Sequence, residues 1–352
     1  MTAFVPSFSS DQLLPPWISK DARSWIFLVS IARENCQAYL DTRFNAPGPD
    51  QAPFRYEALT EQTYGMFCVV DHPNLSSGAV GSQGWDTVST HEVFWLFPAR
   101  RWRITPDNLK IEPDLVWIKP FTLVDNSYVM FSSREIWGDE SDLAKIVIET
   151  GSAPDDIHID VAIQCIKHYS PRAVSHLVGY FHVQMEPGCV APDPAALLDK
   201  NSNLAAYIAL LESRMPFALH EAADPRGEMA LNTLKQFRDV FDMRAAIYRA
   251  LVASRTTHTN VRDPVFYDGT KIAINAMWSD STSELLGTLL GLLPPQGANP
   301  PSGHPAGGPP IDESGIDWNL ARVQMPVAFG VSFTSDARFE VLETLHCYSL
   351  PP

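Results

Sequence analysis

The sequence predicts an α+β fold made mostly of antiparallel strands, and three observations predict it. Hydrophobic residues fill 45% of the 352 positions and aromatic residues 11%, enough to build a sizeable core. At least five β-branched and aromatic runs bounded by turn residues precede the first long helical pattern. Beyond that helix and a Pro/Gly-rich break, strand-like runs resume.

Residues 1–20 read as an N-terminal arm ending in Pro15-Pro16-Trp17, and 21–352 as a single domain. WIFLVSI (25–31) is an apolar strand, and ARENCQAYLDTRF (32–44) continues as a short helix until NAPGPDQAP breaks it. FRYEALTEQTYGMFCVVD (54–71) ends in a strand, followed by a Gly/Ser loop at 74–84. Further strands are EVFWLFPARRW (92–102), LVWIKPFTLV (115–124), HIDVAIQCIKHY (158–169) and SHLVGYFHVQM (175–185), and REIW (134–137) also has a strand-like composition. A long helix is expected over 193–215, with Asp193 as its cap, Pro194 in its first turn, and Leu204, Ile208 and Leu211 on its core face. Residues 229–240 read as a strand, 242–255 as a short helix or second strand, and 271–278 as a half-buried strand. The segment 294–310 is a surface loop inserted within the domain, since 325–345 returns to the sheet.

Several classes are excluded. The net charge is −15 with no basic stripe, so the chain is not built for a nucleic-acid backbone. The N-terminus lacks a basic and then apolar leader, and no run approaches the roughly 18–20 apolar residues of a membrane span. Five scattered cysteines without CxxC spacing read as reduced thiols, so a cytoplasmic protein without metal or cofactor is expected. Phosphate-binding glycine loops, the GxSxG elbow and HExxH are all missing. His176 and His182, six residues apart, would share one face of a regular strand, but with no third ligand nearby they read as ordinary strand histidines.

Two short polar stretches remain. Asp125-Asn126 is either a turn or part of a site. Arg134-Glu135, if extended, sends its side chains to opposite faces, and the inward one needs a partner; a structural ion pair and a site role are both open.

Together these stretches carry a resemblance. LVWIKPFTLVDNSYVMFSSREIWG (115–138) is similar to the central strand pair of the acetoacetate decarboxylase superfamily, which has an Asp-Asn turn, then an Arg-Glu, then a Tyr/Phe-Pro-Lys segment. The NAP break with RYEAL, the GW and HEVFWLFP segments, and LKQFRDVFDMRAAIYRALV match in order on either side, so the likeness covers about residues 15–290. It implies a cone-like, partly closed β-barrel around a buried pocket, flanked by a few helices, in a homo-oligomer. In that family a desolvated lysine with a lowered pKa forms an iminium with the substrate ketone. Laid on REIWGDESDLAK (134–145), the family's Phe/Tyr-Pro-Lys falls on Asp139, Glu140 and Ser141, and the second lysine on Asp142. Serine has no amine, and acidic neighbours raise a lysine pKa.

The resemblance matches Arg23 to a carboxylate-binding arginine and Glu92 to the acid facing the lysine, while a second acid is missing near Gly65. Solvated strand-end charges are the other reading of Arg23 and Glu92. The expected protein is a lyase or isomerase of biosynthetic, secondary metabolism that acts without a Schiff base on an oxygenated keto or polyketide-like compound, its substrate carrying a keto or carboxylate group. Glu92 would be general acid or base, and Arg23 or Arg134, beside Glu135, would hold a carboxylate or enolate. Ser141 or His168 would relay a proton, and Trp95, Asp125, Asn126 and Lys167 would contact the substrate. One alternative is a catalytically silent small-molecule binder or assembly protein, favoured if Glu92 is fully salt-bridged rather than raised in pKa. Another is a Schiff-base enzyme using Lys119, Lys145 or Lys167, which needs an inward-facing lysine free of carboxylate contact.

Overall fold

The structure, a computed structural model, describes residues 13–46, 53–60, 64–79, 87–107, 109–165, 175–191, 193–199, 201–211, 228–238, 246–279, 321–348 and, singly or in pairs, 282, 286–287, 290–291 and 316. Its strands in chain order are β1 (Trp17–Ser30), β2 (Phe54–Ala58), β3 (Tyr64–Ser77), β4 (Val88–Ile104), β5 (Lys110–Ile118), β6 (Thr122–Val124), β7 (Ser141–Thr150), β8 (Ile157–Cys165), β9 (His176–Met185), β10 (Glu228–Arg238), β11 (Ala246–Asp268), β12 (Ile272–Trp278), β13 (Ala321–Met325) and β14 (Val327–Cys347). Among the described residues the helices are short: α1 (Arg33–Arg43), α2 (Ser127–Ser132), α3 (Pro194–Asp199) and α4 (Ser202–Leu211), with a π-helical turn at Ser133–Trp137. The class is the α+β, mostly antiparallel one that the sequence implies. No described helix is long and apolar enough to cross a membrane.

All but one of the strands lie along one path, β13-β12-β9-β8-β7-β6-β4-β3-β1-β14-β11-β10-β5, with β2 paired to β4. Only β6–β7 and β10–β5 are parallel among the described pairings. Because β5 also pairs with β4, the strands β4, β3, β1, β14, β11, β10 and β5 close into a ring. The other half of the path, from β6 to β13, packs over the outside of that ring.

Strand alternation explains both layers. On β1, Trp25, Phe27 and Val29 point outward, as do Phe67 and Val69 on β3 and Val93, Trp95 and Phe97 on β4. They meet Ile159, Val161, Phe181, Val183 and Ile274 of the second layer in the main core. The opposite faces of the same strands, Ser24 and Ile26, Cys68 and Val70, Glu92 and Phe94, line the ring's interior.

Several local expectations change. LVWIKPFTLV is two strands, not one, because Pro120 cannot donate to a ladder and the chain breaks at Lys119-Pro120-Phe121. REIW is helical: Asn126 caps α2 by accepting from the amides of Tyr128 and Val129, and the turn then runs on through Trp137. Of the helix expected over 193–215, the described part up to Leu211 is two helices, with Asp193 capping α3 and Asn201 capping α4 at 3.0 Å from the Leu204 amide, and 212–215 lie outside the described residues. The open choice over 242–255 resolves as strand where it is described. The 294–310 loop lies outside the described residues.

Candidate functional site

The ring encloses a cavity of ≈ 90 Å³. On a scale where one water occupies about 10–15 Å³, that is room for a compact ligand. The walls are mainly apolar: Ile26, Met66, Phe94, Leu231, Phe333 and Phe339 are among them. Polar side chains gather at one region, where Lys119, Glu92, Asp139 and His72 meet.

Each arrives there for a local reason. Glu92 lies on the inward face of β4, opposite Val70 of β3, and His72 follows Val70 on the same face. Lys119 sits in the break between β5 and β6, where the preceding strand has ended and its side chain is released from the pleat. Asp139 follows Gly138, whose φ of 74° ends the π-helical turn. A Cβ there would come within 2.6 Å of the Lys235 Cβ and 2.8 Å of its Cα, so only glycine allows this turn.

The Lys119 ammonium donates to Asp139 Oδ2 at 2.6 Å and to Glu92 Oε1 at 3.3 Å. The three side chains expose only 11%, 8% and 15% of their surface, in that order. His72 Nε2 lies 3.5 Å from the other Glu92 oxygen, and its Nδ1 meets Ser19 Oγ at 2.8 Å. Burial pushes the Glu92 pKa up, but the Lys119 charge and the His72 hydrogen bond outweigh it and hold the group at about 2. Asp139 goes the other way: burial raises it, Lys119 only partly offsets that, and the Glu92 anion adds to the rise. Burial lowers Lys119, yet the two carboxylates together raise it above the ordinary lysine value. His258, on β11 across the cavity, is depressed to about 4 by burial and by His72. Two carboxylates share one ammonium, and the charged form is the less favoured at Asp139.

The residues singled out from the sequence are distributed unevenly. Glu92 is in the cavity. Arg23 is on the other face of β1 from Ala22 and Ser24, its guanidinium 4.8 Å above the Trp25 ring. Trp95 points into the outer core for the same alternation reason. Arg134 and Glu135 are both exposed because their segment is helical, which removes the expected inward charge; Arg134 lies 3.6 Å from Asp142 and donates to the Ser141 carbonyl. Ser141 is buried at the start of β7 in register with Thr122, and among the described residues neither hydroxyl has a hydrogen-bond partner. Asp125 accepts from the His91 amide, His91 Nδ1 and Thr90 Oγ1, and Asn126 is the α2 cap, so both serve the rim beside the cavity. Lys167 and His168 lie outside the described residues.

Sequence reasoning missed His72 and Asp139. His72 follows an unremarkable apolar strand, and only cross-strand pairing brings it beside Glu92. Asp139 stood at a position matched to an aromatic residue. Gly65 lies on the outward face of β3 with Phe67 and Val69, where a Cβ would come within 2.5 Å of the Trp95 indole ring, so it does not face the cavity. Lys119 faces inward, as a relocated nucleophile would, but it touches two carboxylates.

No family model and no curated protein matches the sequence. Solved structures do. The acetoacetate decarboxylase of Legionella pneumophila subsp. pneumophila str. Philadelphia 1 matches with a TM-score of 0.50 at 11% identity, over 97% of this chain and 93% of that one. The enduracididine biosynthesis enzyme MppR, complexed with pyruvate, matches at 0.48 and 12% identity over 96% and 94%. An acetoacetate decarboxylase-like enzyme from Sphingomonas wittichii RW1 matches at 0.47 and 10% over 97% and 100%. The likeness to the Legionella enzyme is one of architecture across nearly the whole length, and this chain has the acetoacetate decarboxylase-like fold.

Proposed function

We propose that the protein is a lyase or isomerase that moves a proton next to a carbonyl without forming a Schiff base. The observation that carries this is the buried Lys119–Asp139–Glu92 cluster at the polar region of an otherwise apolar cavity. Asp139, with its raised pKa, is the stronger base of the two carboxylates and takes the α-proton of a bound ketone. Lys119 stays an ammonium and donates to the enolate oxygen as charge develops there. Glu92, held near 2, stays an anion that fixes Lys119 in place. The proton on Asp139 then returns to a different carbon, which is isomerisation, or to a β-hydroxyl that departs as water, which is dehydration.

The cavity also points to the substrate class. Arg23 and Arg134, the two arginines considered for a carboxylate, are outside it, and Lys119 is already shared by two acids. A compact neutral ketone, such as a 1,3-diketone or β-hydroxyketone, is therefore favoured over a keto acid. Biosynthetic use of such compounds fits the same reading.

The test is proton exchange in D2O followed by NMR, with neutral 1,3-diketones, β-hydroxyketones and β-keto acids, and borohydride trapping in parallel. Deuterium incorporation without a trapped adduct, abolished by Asp139→Asn, is the expected result. An adduct on Lys119 would overturn it in favour of iminium chemistry. One observation favours a second reading, a silent binder: Glu92 is fully paired by Lys119 and His72. Saturable binding of the same ketones with neither exchange nor turnover is what that reading expects.

A further inference from the structure

A second cluster of chemistry-bearing side chains lies on the outer face of the second layer, away from the cavity. On β8, Ile157, Ile159 and Val161 point into the core, so His158 and Asp160 point out. On β9, Phe181 and Val183 point in, so His182 points out, directly opposite Asp160 in the antiparallel register. A bulge causes this: Val161 pairs with Phe181 but Ala162 with Gly179, leaving Tyr180 extra, with Tyr180 and Phe181 both buried. The bulge puts His176 out of phase with His182, so those two histidines do not form a pair. It brings His182 to a different histidine and an aspartate instead.

His158 Nε2 is 3.0 Å from Asp160 Oδ2, and His182 Nδ1 is 2.8 Å from Asp160 Oδ1. The two imidazole rings are 4.6 Å apart, and the ligand atoms all lie within 4.8 Å of one another. All three residues are partly buried, on paired strands rather than on a loop.

We propose that His158, Asp160 and His182 form a binding site for a divalent transition-metal ion of the zinc class. Metal–ligand bonds of about 2.0–2.2 Å place neighbouring ligand atoms about 2.8–3.6 Å apart; the two contacts to Asp160, at 3.0 and 2.8 Å, already have that spacing, and the two histidine nitrogens lie within 4.8 Å of each other. Two imidazoles and one carboxylate suit Zn2+, Co2+ or Ni2+, whereas Ca2+ and Mg2+ require shells of oxygen. With three protein ligands, at least one position is left to water, so the site is open. Glu149 of β7 stands opposite His158 and Asn275 of β12 opposite His182, which places polar groups, one of them acidic, along the flanks. The ion would tie β8 to β9.

Calorimetric titration of the full chain with ZnCl2 tests this, with CaCl2 and MgCl2 as comparisons. One equivalent of Zn2+ is expected to bind and Ca2+ and Mg2+ to give no heat. His182→Ala should weaken Zn2+ by more than the roughly 10–100-fold that outer-shell changes cost. Failure of Zn2+ to bind, or unchanged binding in His182→Ala, would overturn the proposal. A second measurement needs no variant: diethyl pyrocarbonate modification mapped by peptide mass, with and without ZnCl2. Zn2+ should protect His158 and His182; protection only elsewhere, or none, counts against the site.

Discussion

At the residue scale, the decisive feature is two buried carboxylates around one ammonium. Lys119 touches both, and its loss would leave Asp139 without its cation and Glu92 with His72 alone in an apolar cavity. Lys119→Met is therefore expected to destabilise the fold by about 3–5 kcal/mol, measured by urea unfolding at pH 7. Asp139→Asn should cost far less, because Glu92 keeps its partner. The two acids also respond to pH with opposite sign. Glu92 is depressed, so its contribution is present above its ordinary pKa and is lost as pH falls towards about 2. Asp139 is raised, so its contribution is present below its ordinary pKa and is lost as pH rises through the raised value. The stability of the native protein relative to Asp139→Asn should accordingly fall as pH rises from below the ordinary aspartate pKa. A flat difference would mean that Asp139 is not raised. Glu92 was legible in the sequence only through the family resemblance, which matches it to the acid facing the lysine. Lys119 was legible as an interruption, but its partners depend on a strand break and a left-handed glycine.

At the element scale, composition identified most strands, because inward and outward faces both require apolar residues when a sheet is covered on each side. It failed at REIW, where β-favouring side chains sit in a helical turn because Asn126 caps the chain ahead of them and Gly138 ends it. It failed again on β9, where a bulge reverses the alternation and no composition signal marks it. Gly138 joins this local geometry to the site, since its left-handed turn aims Asp139 at Lys119. Gly138→Ala should destabilise the fold by about 2 kcal/mol, from positive φ alone costing ~1–2 kcal/mol and from contact with the Lys235 backbone. Urea unfolding checks the stability. A control at Gly188, also at positive φ but with only the Lys271 Nζ at 3.9 Å, should lose less.

At the scale of the whole molecule, the cavity exists because the ring closes, and closure rests on a short seam. The parallel pairing of β10 with β5 spans Leu231 with Trp117 and Asn232 with Ile118. Asn232 is 1% exposed. Its side-chain oxygen accepts from Tyr56 Oη at 2.9 Å and from Arg101 Nη1 at 3.2 Å, which ties β10 to β2 and β4. Parallel pairs are slightly weaker per residue, so this polar latch carries more of the closure than the ladder alone. Asn232→Ala strands the buried Tyr56 hydroxyl and is expected to cost about 1–3 kcal/mol. The loss should be local in its dynamics. Amide exchange in β5 and β10 should quicken, while β8 and β9, on the far layer, keep their protection. Uniform acceleration across all strands would instead mean that the ring opens only when the whole molecule unfolds, and that the seam is not its weak point.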